Sequence, residues 1–151
     1  MINKIKIWKP LDDIGGNYWF ENLSLTNENF VFIYRKEKQR NTKIHIICAG
    51  GLPSFRYTNE TFLGAFTHID SLEEIKSIRP WCFYTVENSA YLKKISDDSG
   101  GLSDNFDFKH YCIISEDEAL DLIYSVEPVV EIVVDGVVIK SSDPEHHSLL
   151  P

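Results

Sequence analysis

Apolar and polar residues alternate through most of the first 60 residues, and this period of two predicts β-strands. The alternation begins at residues 2–8 and recurs over residues 19–25, 30–35, 42–48 and 54–58. A charged run at residues 36–41 separates two of these segments and predicts the tip of a β-hairpin. The N-terminal half of the chain is therefore predicted to be a series of strands.

Helical spacing appears after residue 60. Residues 71–74 have the Ser-x-x-Glu form of a capping box, and the helix that they open must stop at Arg79 because Pro80 follows. Thr85 is the predicted N-cap of a second helix, which runs to about Ser96.

The C-terminal part combines a third predicted helix with strands. Residues 115–118 form another capping box, and its helix has an apolar stripe made of Ala119, Leu122, Ile123 and Val126. Before it, residues 106–114 alternate as a strand. After it, Asp135-Gly136 predicts the two-residue turn of a β-hairpin.

This order of elements predicts an α+β fold: a largely antiparallel sheet with two or three helices packed as a single layer on one face. The 151 residues, 43% of them apolar and 13% aromatic, are enough for one core, and no linker or repeat divides them. We expect a single domain over residues 1–140 and a frayed tail over residues 141–151. The absence of a signal-like or membrane-length apolar run predicts a cytoplasmic protein.

Charge is distributed unevenly along the chain. The net charge is −8, but residues 97–136 alone contain eleven acidic residues against one basic residue. A surface of that sign repels phosphate backbones, so nucleic acid is not an expected partner, whereas a basic protein would be attracted. Acidic side chains can also serve solubility alone, and the sequence leaves that alternative open.

No motif in the sequence predicts catalysis, a cofactor or a metal. Neither Gly50-Gly51 nor Gly100-Gly101 belongs to a phosphate-binding loop pattern, and both indicate turns. The three cysteines are an odd number without Cys-x-x-Cys spacing, which predicts free thiols in a reducing compartment.

Two small groups of residues keep an enzyme or a small-ligand site open as the alternative. Arg56, Tyr57 and Glu60 surround a turn and could hold a polar ligand, or form only a local ion pair. His110 and Cys112 lie two apart on a predicted strand, so both point to the same sheet face. They could form a Cys–His pair or half of a metal site, although their apolar neighbours favour two core residues.

The segments WCFYTVENSAYL, at residues 81–92, and KHYCIISEDEALDLIYSVEP, at residues 109–128, resemble a pattern in small bacterial proteins of polymorphic-toxin and contact-dependent-inhibition loci. In those loci a short acidic cytosolic protein is the immunity partner that binds and neutralises a toxin domain. The resemblance implies that the acidic half of this chain is a binding face. It transfers no functional residue, because such families differ in fold.

We therefore expect a non-enzymatic protein-binding protein, most concretely an immunity protein for a cognate toxin domain such as a basic nuclease. The sequence leaves its oligomeric state open. The predicted contact residues are acidic side chains that loops and helix starts would expose: Asp97, Asp98, Asp104, Asp107, Glu116, Asp117 and Asp121.

Overall fold

The computed structural model describes residues 3–59, 69–70, 80–115 and 118–144, and these residues form two β-sheets. The strands are β1 (Asn3–Ile7), β2 (Tyr18–Thr26), β3 (Asn29–Lys36), β4 (Gln39–Cys48), β5 (Ser54–Asn59), β6 (Ile69–Asp70), β7 (Phe83–Glu87), β8 (Lys109–Ile114), β9 (Glu118–Tyr124), β10 (Val129–Val134) and β11 (Val137–Ser141). Helix α1 spans Ala90–Asp98, and a 3-10 helix follows at Leu102–Asn105.

Sheet A has the strand order β5-β9-β8-β7-β1-β6, and sheet B has the order β11-β10-β4-β3-β2. Among the described strands every pairing is antiparallel except that of β1 with the short β6. The main core lies between the sheets. Sheet B contributes Phe32, Ile44 and Ile46, and sheet A contributes Phe83, Leu120 and Leu122.

The predicted α+β class is wrong. Among the described residues α1 is the only α-helix, and the two sheets pack as a sandwich rather than as one sheet under a layer of helices. The first predicted helix, at residues 71–79, lies outside the described residues.

The predicted helix that starts at residue 115 is strand β9, and this is the main correction. Ser115 makes the turn between β8 and β9, because its N–H donates to the carbonyl of Glu118 at 2.9 Å. Leu120, Leu122 and Tyr124 face the core between the sheets, while the residues between them are buried on the opposite face. A strand buried on both faces shows no apolar–polar alternation, so its apolar run also matched helical spacing.

The helix predicted to start at Thr85 exists but begins later. Thr85 lies within β7, and the N-cap of α1 is Ser89, whose Oγ accepts a hydrogen bond from the Leu92 N–H at 2.9 Å. Asn88, with φ 52°, makes the turn from strand to helix, and Asn is one of the residues that tolerate this left-handed conformation.

Both predicted hairpins are confirmed. Strands β3 and β4 pair directly across the charged connection, and β10 and β11 pair across Asp135-Gly136. Asp135 and Gly136 both have positive φ, at 51° and 80°, as a two-residue turn of this kind requires. Beyond β11, Ser142 exchanges hydrogen bonds with Val130, and residues 145–151 lie outside the described part of the chain.

The outer face of sheet A, turned away from sheet B, positions the candidate site. A second apolar cluster lies there, formed by Ile5, Tyr84, Val86 and Cys112. Helix α1 packs beside it, and its Tyr91 ring meets the His110 ring edge-on at 5.7 Å between centroids. Strand β8 therefore places His110 and Cys112 on one covered face, as the sequence predicts.

Candidate functional site

A row of four polar side chains crosses the outer face of sheet A and ends at the start of α1. It consists of Arg56 on β5, Asp121 on β9, His110 on β8 and Ser89 at the helix N-cap, and we call it the polar row. Arg56 and Asp121 are direct cross-strand partners, and their side chains meet with Nη2 3.1 Å from Oδ2. The other oxygen, Oδ1, lies 2.6 Å from Nε2 of His110, and Nδ1 of His110 lies 2.6 Å from Oγ of Ser89.

Burial and neighbouring charges determine the ionisation of Asp121 in this row. Ser89, His110 and Asp121 are 7%, 3% and 0% exposed. Burial by itself raises the pKa of Asp121, but the hydrogen bond and charge of His110 and the charge of Arg56 outweigh it, and the pKa is lowered. An ionised Asp121 can only accept, so His110 donates its Nε2–H to it. When His110 is neutral, Nδ1 is the acceptor, and the hydroxyl of Ser89 donates to it.

The first turn of α1 is held on the sheet by contacts to the same row. The guanidinium of Arg56 lies 4.3 Å from the centre of the Tyr91 ring, a cation–π contact. The Tyr91 hydroxyl is hydrogen-bonded to Ser54 on β5. Asn3 on β1 adds a side-chain oxygen that accepts from the Ala90 N–H at 2.8 Å. The start of the helix is thus fixed to β5, β8 and β1.

An open groove of about 490 Å³ lies over one end of the polar row. Ser89 and His110 both belong to its lining. Its apolar lining comes from Val86, Leu92 and Phe108, and its charged lining from Glu87 and Lys109. Ser89 is thus a buried residue that borders an open groove.

The structure brings together residues that the sequence offered as two separate alternatives. Arg56 and the pair His110 and Cys112 meet through Asp121, whereas Glu60 lies outside the described residues. Cys112 is fully buried, and burial, followed by the neighbouring Asp121, raises its pKa well above the ordinary value. The thiol is therefore not a nucleophile in the folded protein. Within the described residues no group of three or more His, Cys, Asp or Glu side chains could hold a metal.

Sequence reasoning missed Ser89 and the role of Asp121. Ser89 was placed inside a helix that was predicted to start at Thr85. The Asn-Ser pair at residues 88–89, which ends the strand pattern before Ala90, is an N-cap signal that could have located it. Asp121 had no such signal, because its partners come from strands that are distant in sequence.

The buried thiols give the first testable prediction. Cys48, Cys82 and Cys112 are all buried, and burial raises the pKa of Cys48 to about 12. Because the thiolate is the reactive form, we expect no cysteine of the native protein to react with an aromatic disulfide reagent within minutes. All three should react after unfolding in guanidinium. Rapid reaction of one equivalent in the native state would contradict this arrangement.

The predicted acidic contact residues occupy different environments. Asp97, Asp98, Asp104 and Asp107 are exposed, as expected, whereas Glu116 and Asp117 lie outside the described residues. Asp121 is fully buried, so its predicted exposure is wrong. The reason is that it lies on a strand whose outer face is covered, not on the first turn of a helix.

Other acids of the 97–136 region also make specific contacts. Glu118 accepts from the backbone N–H of Phe20 at 2.9 Å, and Glu127 accepts from Nε1 of Trp8 at 2.7 Å. Asp97 and Asp98 pair with Lys93 and Lys94 one turn earlier on α1, with N–O distances of 3.5 and 2.8 Å. The acidic region is therefore not one continuous negative face.

One short part of it, residues 97–107, is mostly exposed. After α1 the chain carries two exposed apolar side chains, Leu102 at 64% and Phe106 at 56%. Asp104 is tied to the helix by Ser96, whose Oγ donates to it at 2.7 Å. The Phe106 ring stacks on Phe108, with centroids 5.2 Å apart, and Phe108 lines the groove. We call the following set the acidic loop surface: Asp97, Asp98, Leu102, Asp104, Phe106 and Asp107.

No protein-family model, curated protein or solved structure matches this chain. In the described part of the chain, no helix has the length and apolar character needed to cross a membrane. Two features of the described residues bear on function, the polar row with its groove and the acidic loop surface.

Proposed function

We propose that this protein binds another protein through the acidic loop surface. The resemblance of two of its segments to immunity proteins suggests the partner, a basic toxin domain that is neutralised in the cytoplasm. The observation that carries the proposal is the exposure of Leu102 and Phe106 in the same short stretch of chain, residues 97–107, as four exposed carboxylates.

This arrangement matches the energetic layout of protein interfaces. A few apolar or aromatic side chains at the centre supply most of the binding energy, and a polar rim surrounds them. Carboxylates in the rim raise the association rate of a basic partner, because opposite charges attract the two proteins before contact. Two of the four carboxylates are partly neutralised by Lys93 and Lys94, so Asp104 and Asp107 should contribute most to this attraction.

Pre-organisation favours the same surface. The loop that carries Leu102 and Phe106 follows α1 directly, and the first turn of α1 is held by the polar row. A surface that is ordered before binding loses less conformational entropy when the partner docks. Phe108 and the groove continue the surface, which adds contact area beyond the loop itself.

The test is a binding titration with the product of the gene next to this protein's own, which the proposal expects to contain a basic toxin domain. We expect the double variant Asp104→Asn, Asp107→Asn to associate roughly tenfold more slowly at low salt, and the difference should shrink at high salt because exposed charges are screened. The matched control removes two exposed charges elsewhere, Asp12→Asn with Glu28→Gln, and should change the rate little.

The apolar centre is tested in the same titration. Phe106→Ser should raise the dissociation rate at least about tenfold, because an interface anchor acts mainly on dissociation. Leu25→Ser is the control, since Leu25 is equally exposed but lies on β2. Absence of binding, or binding that ignores salt and all of these substitutions, would contradict the proposal.

A further inference from the structure

We propose that the polar row is also a nucleophilic site, in which Ser89 attacks the carbonyl carbon of a small carboxylic ester that lies in the groove and His110 takes the hydroxyl proton. This activity is independent of the proposed binding surface, and either one can fail without the other. The geometry points to it because a hydroxyl, an imidazole and a buried carboxylate are joined by two 2.6 Å hydrogen bonds.

The direction of the hydrogen bonds is that of a Ser-His-Asp triad. Asp121 accepts from Nε2–H of His110, which leaves Nδ1 free to accept from Ser89. In the familiar triads the serine faces Nε2 and the carboxylate faces Nδ1. Exchange of the two nitrogens leaves the chemistry unchanged, because either one can accept a proton while the other N–H is held. Arg56 completes the row by pairing with the second oxygen of Asp121.

The position of Ser89 stabilises negative charge on its oxygen. Ser89 follows a strand and a one-residue left-handed turn, and it caps the nine-residue helix α1. The Leu92 N–H donates to Oγ at 2.9 Å, and the positive end of the helix dipole adds to its effect. Both lower the energy of the oxygen as it loses its proton, in addition to the acceptor that His110 provides.

The groove defines the substrate class. Its volume of about 490 Å³ lies within the ~300–1,000 Å³ typical of small-molecule sites. Val86, Leu92 and Phe108 form an apolar wall that suits an apolar acyl group. Lys109 adds a cation to the lining of the groove.

The reaction balances without a cofactor. The Oγ of Ser89 forms a bond to the ester carbonyl carbon, and its proton moves to Nδ1 of His110. When the carbon–oxygen bond to the leaving alcohol breaks, that proton passes to the alcohol oxygen. Water then attacks the acyl-serine, gives a proton to Nδ1, and releases the carboxylic acid as the proton returns to Oγ.

The test uses the full chain, a fluorophosphonate probe with a short alkyl chain, and intact-mass and peptide mass spectrometry. The probe forms a phosphorus–oxygen bond to a nucleophilic serine and releases fluoride. We expect one adduct, on Ser89, and hydrolysis of p-nitrophenyl butyrate that the probe blocks. Ser89→Asn keeps a side chain that caps the helix but removes the hydroxyl, and it should abolish the adduct. Ser103→Ala, a buried serine of the 3-10 helix, should be labelled like the wild type.

His110 is tested by substitution. His110→Gln should slow labelling at least about 100-fold, the size of a general-base contribution. The groups around His110 are Asp121 with Arg56 beyond it, Tyr91 on α1, Cys112 on the same strand, and Glu87 and Lys109 in the groove.

The wild-type protein decides the outcome even if a variant fails to fold. An adduct on Ser89 of the wild type that a folded His110→Gln variant forms far more slowly would support the proposal. No adduct on the folded wild type, an adduct on another residue, or equal labelling of a folded His110→Gln variant would overturn it. The polar row would then serve only to fix α1 on the sheet.

Discussion

Replacement of Asp121 by alanine should lower the free energy of unfolding by about 3–5 kcal/mol, the usual cost of removing one partner from a buried charged pair. Most of this loss in free energy arises at His110, because that residue is 3% exposed and its buried Nε2–H would lose its acceptor. Arg56 can recover part of its hydration, since its side chain is 43% exposed. Urea unfolding of the two proteins at neutral pH measures the difference.

The pH dependence of this difference follows from the lowered pKa of Asp121. A carboxyl group with a lower pKa in the folded state stabilises the protein above its unfolded pKa, near the ordinary value of 3.8. That contribution is lost as the pH falls through the folded-state pKa. The difference in free energy of unfolding between the wild type and Asp121→Ala should therefore stay constant at pH values above the ordinary carboxyl pKa of 3.8 and become smaller below it.

Asp97→Ala is the matched control for this measurement. Asp97 is also an aspartate paired with a base, but its side chain is 65% exposed and its partner Lys93 lies one turn away on α1. Exposed pairs of this kind contribute little, so the substitution should leave the unfolding curve almost unchanged. Equal effects of the two substitutions would show that Asp121 is not part of a buried network.

The N-terminal strands could be predicted because most of them have one buried and one open face. On β4, for example, Ile44, Ile46 and Cys48 are buried while the residues between them are partly exposed. The turn between β10 and β11 could also be predicted, because its signal is the two consecutive residues Asp135-Gly136. These signals need no knowledge of the partner strand, because each is contained in a few consecutive residues.

The C-terminal strands could not be predicted in the same way. Every residue of β9 from Ala119 to Tyr124 is buried, since the strand has sheet B on one side and the polar row on the other. Local composition then favours a helix, because Ser115 and Glu118 match a capping box and apolar residues recur at helical spacing. The sequence supports a helix and a strand about equally here, and burial on both faces in the folded protein favours the strand.

The candidate site, too, could be predicted only in part. One strand with a period of two was enough to place His110 and Cys112 on the same face. The pairing of β5 with β9, which joins Arg56 to Asp121, connects segments 65 residues apart and has no local signal. The count of acidic residues was misleading for a related reason. It could not separate exposed acids such as Asp104 from acids that join the two sheets, such as Glu118.

A pair of substitutions in residues 115–126 tests the two structures directly. The helical interpretation buries Val126 and leaves Leu120 off the apolar stripe, whereas the strand buries Leu120 to 1% exposure and leaves Val126 at 58%. Leu120→Ala should therefore cost about 2–5 kcal/mol, because it opens a cavity in the core between the sheets. Val126→Ala should change the free energy of unfolding by no more than ~0.5 kcal/mol.

Leu122 and Ile123 cannot make this distinction, since they are buried in both structures. The unfolding free energies of the Leu120 and Val126 variants, measured under the same conditions, give the answer. A large loss at Val126 with little loss at Leu120 would restore the helix and remove Asp121 from the face that holds His110. Because Asp121 would then lose its place beside His110, the same result would remove the polar row and the nucleophilic site built on it. The two-sheet fold requires that Leu120→Ala lower the free energy of unfolding far more than Val126→Ala does.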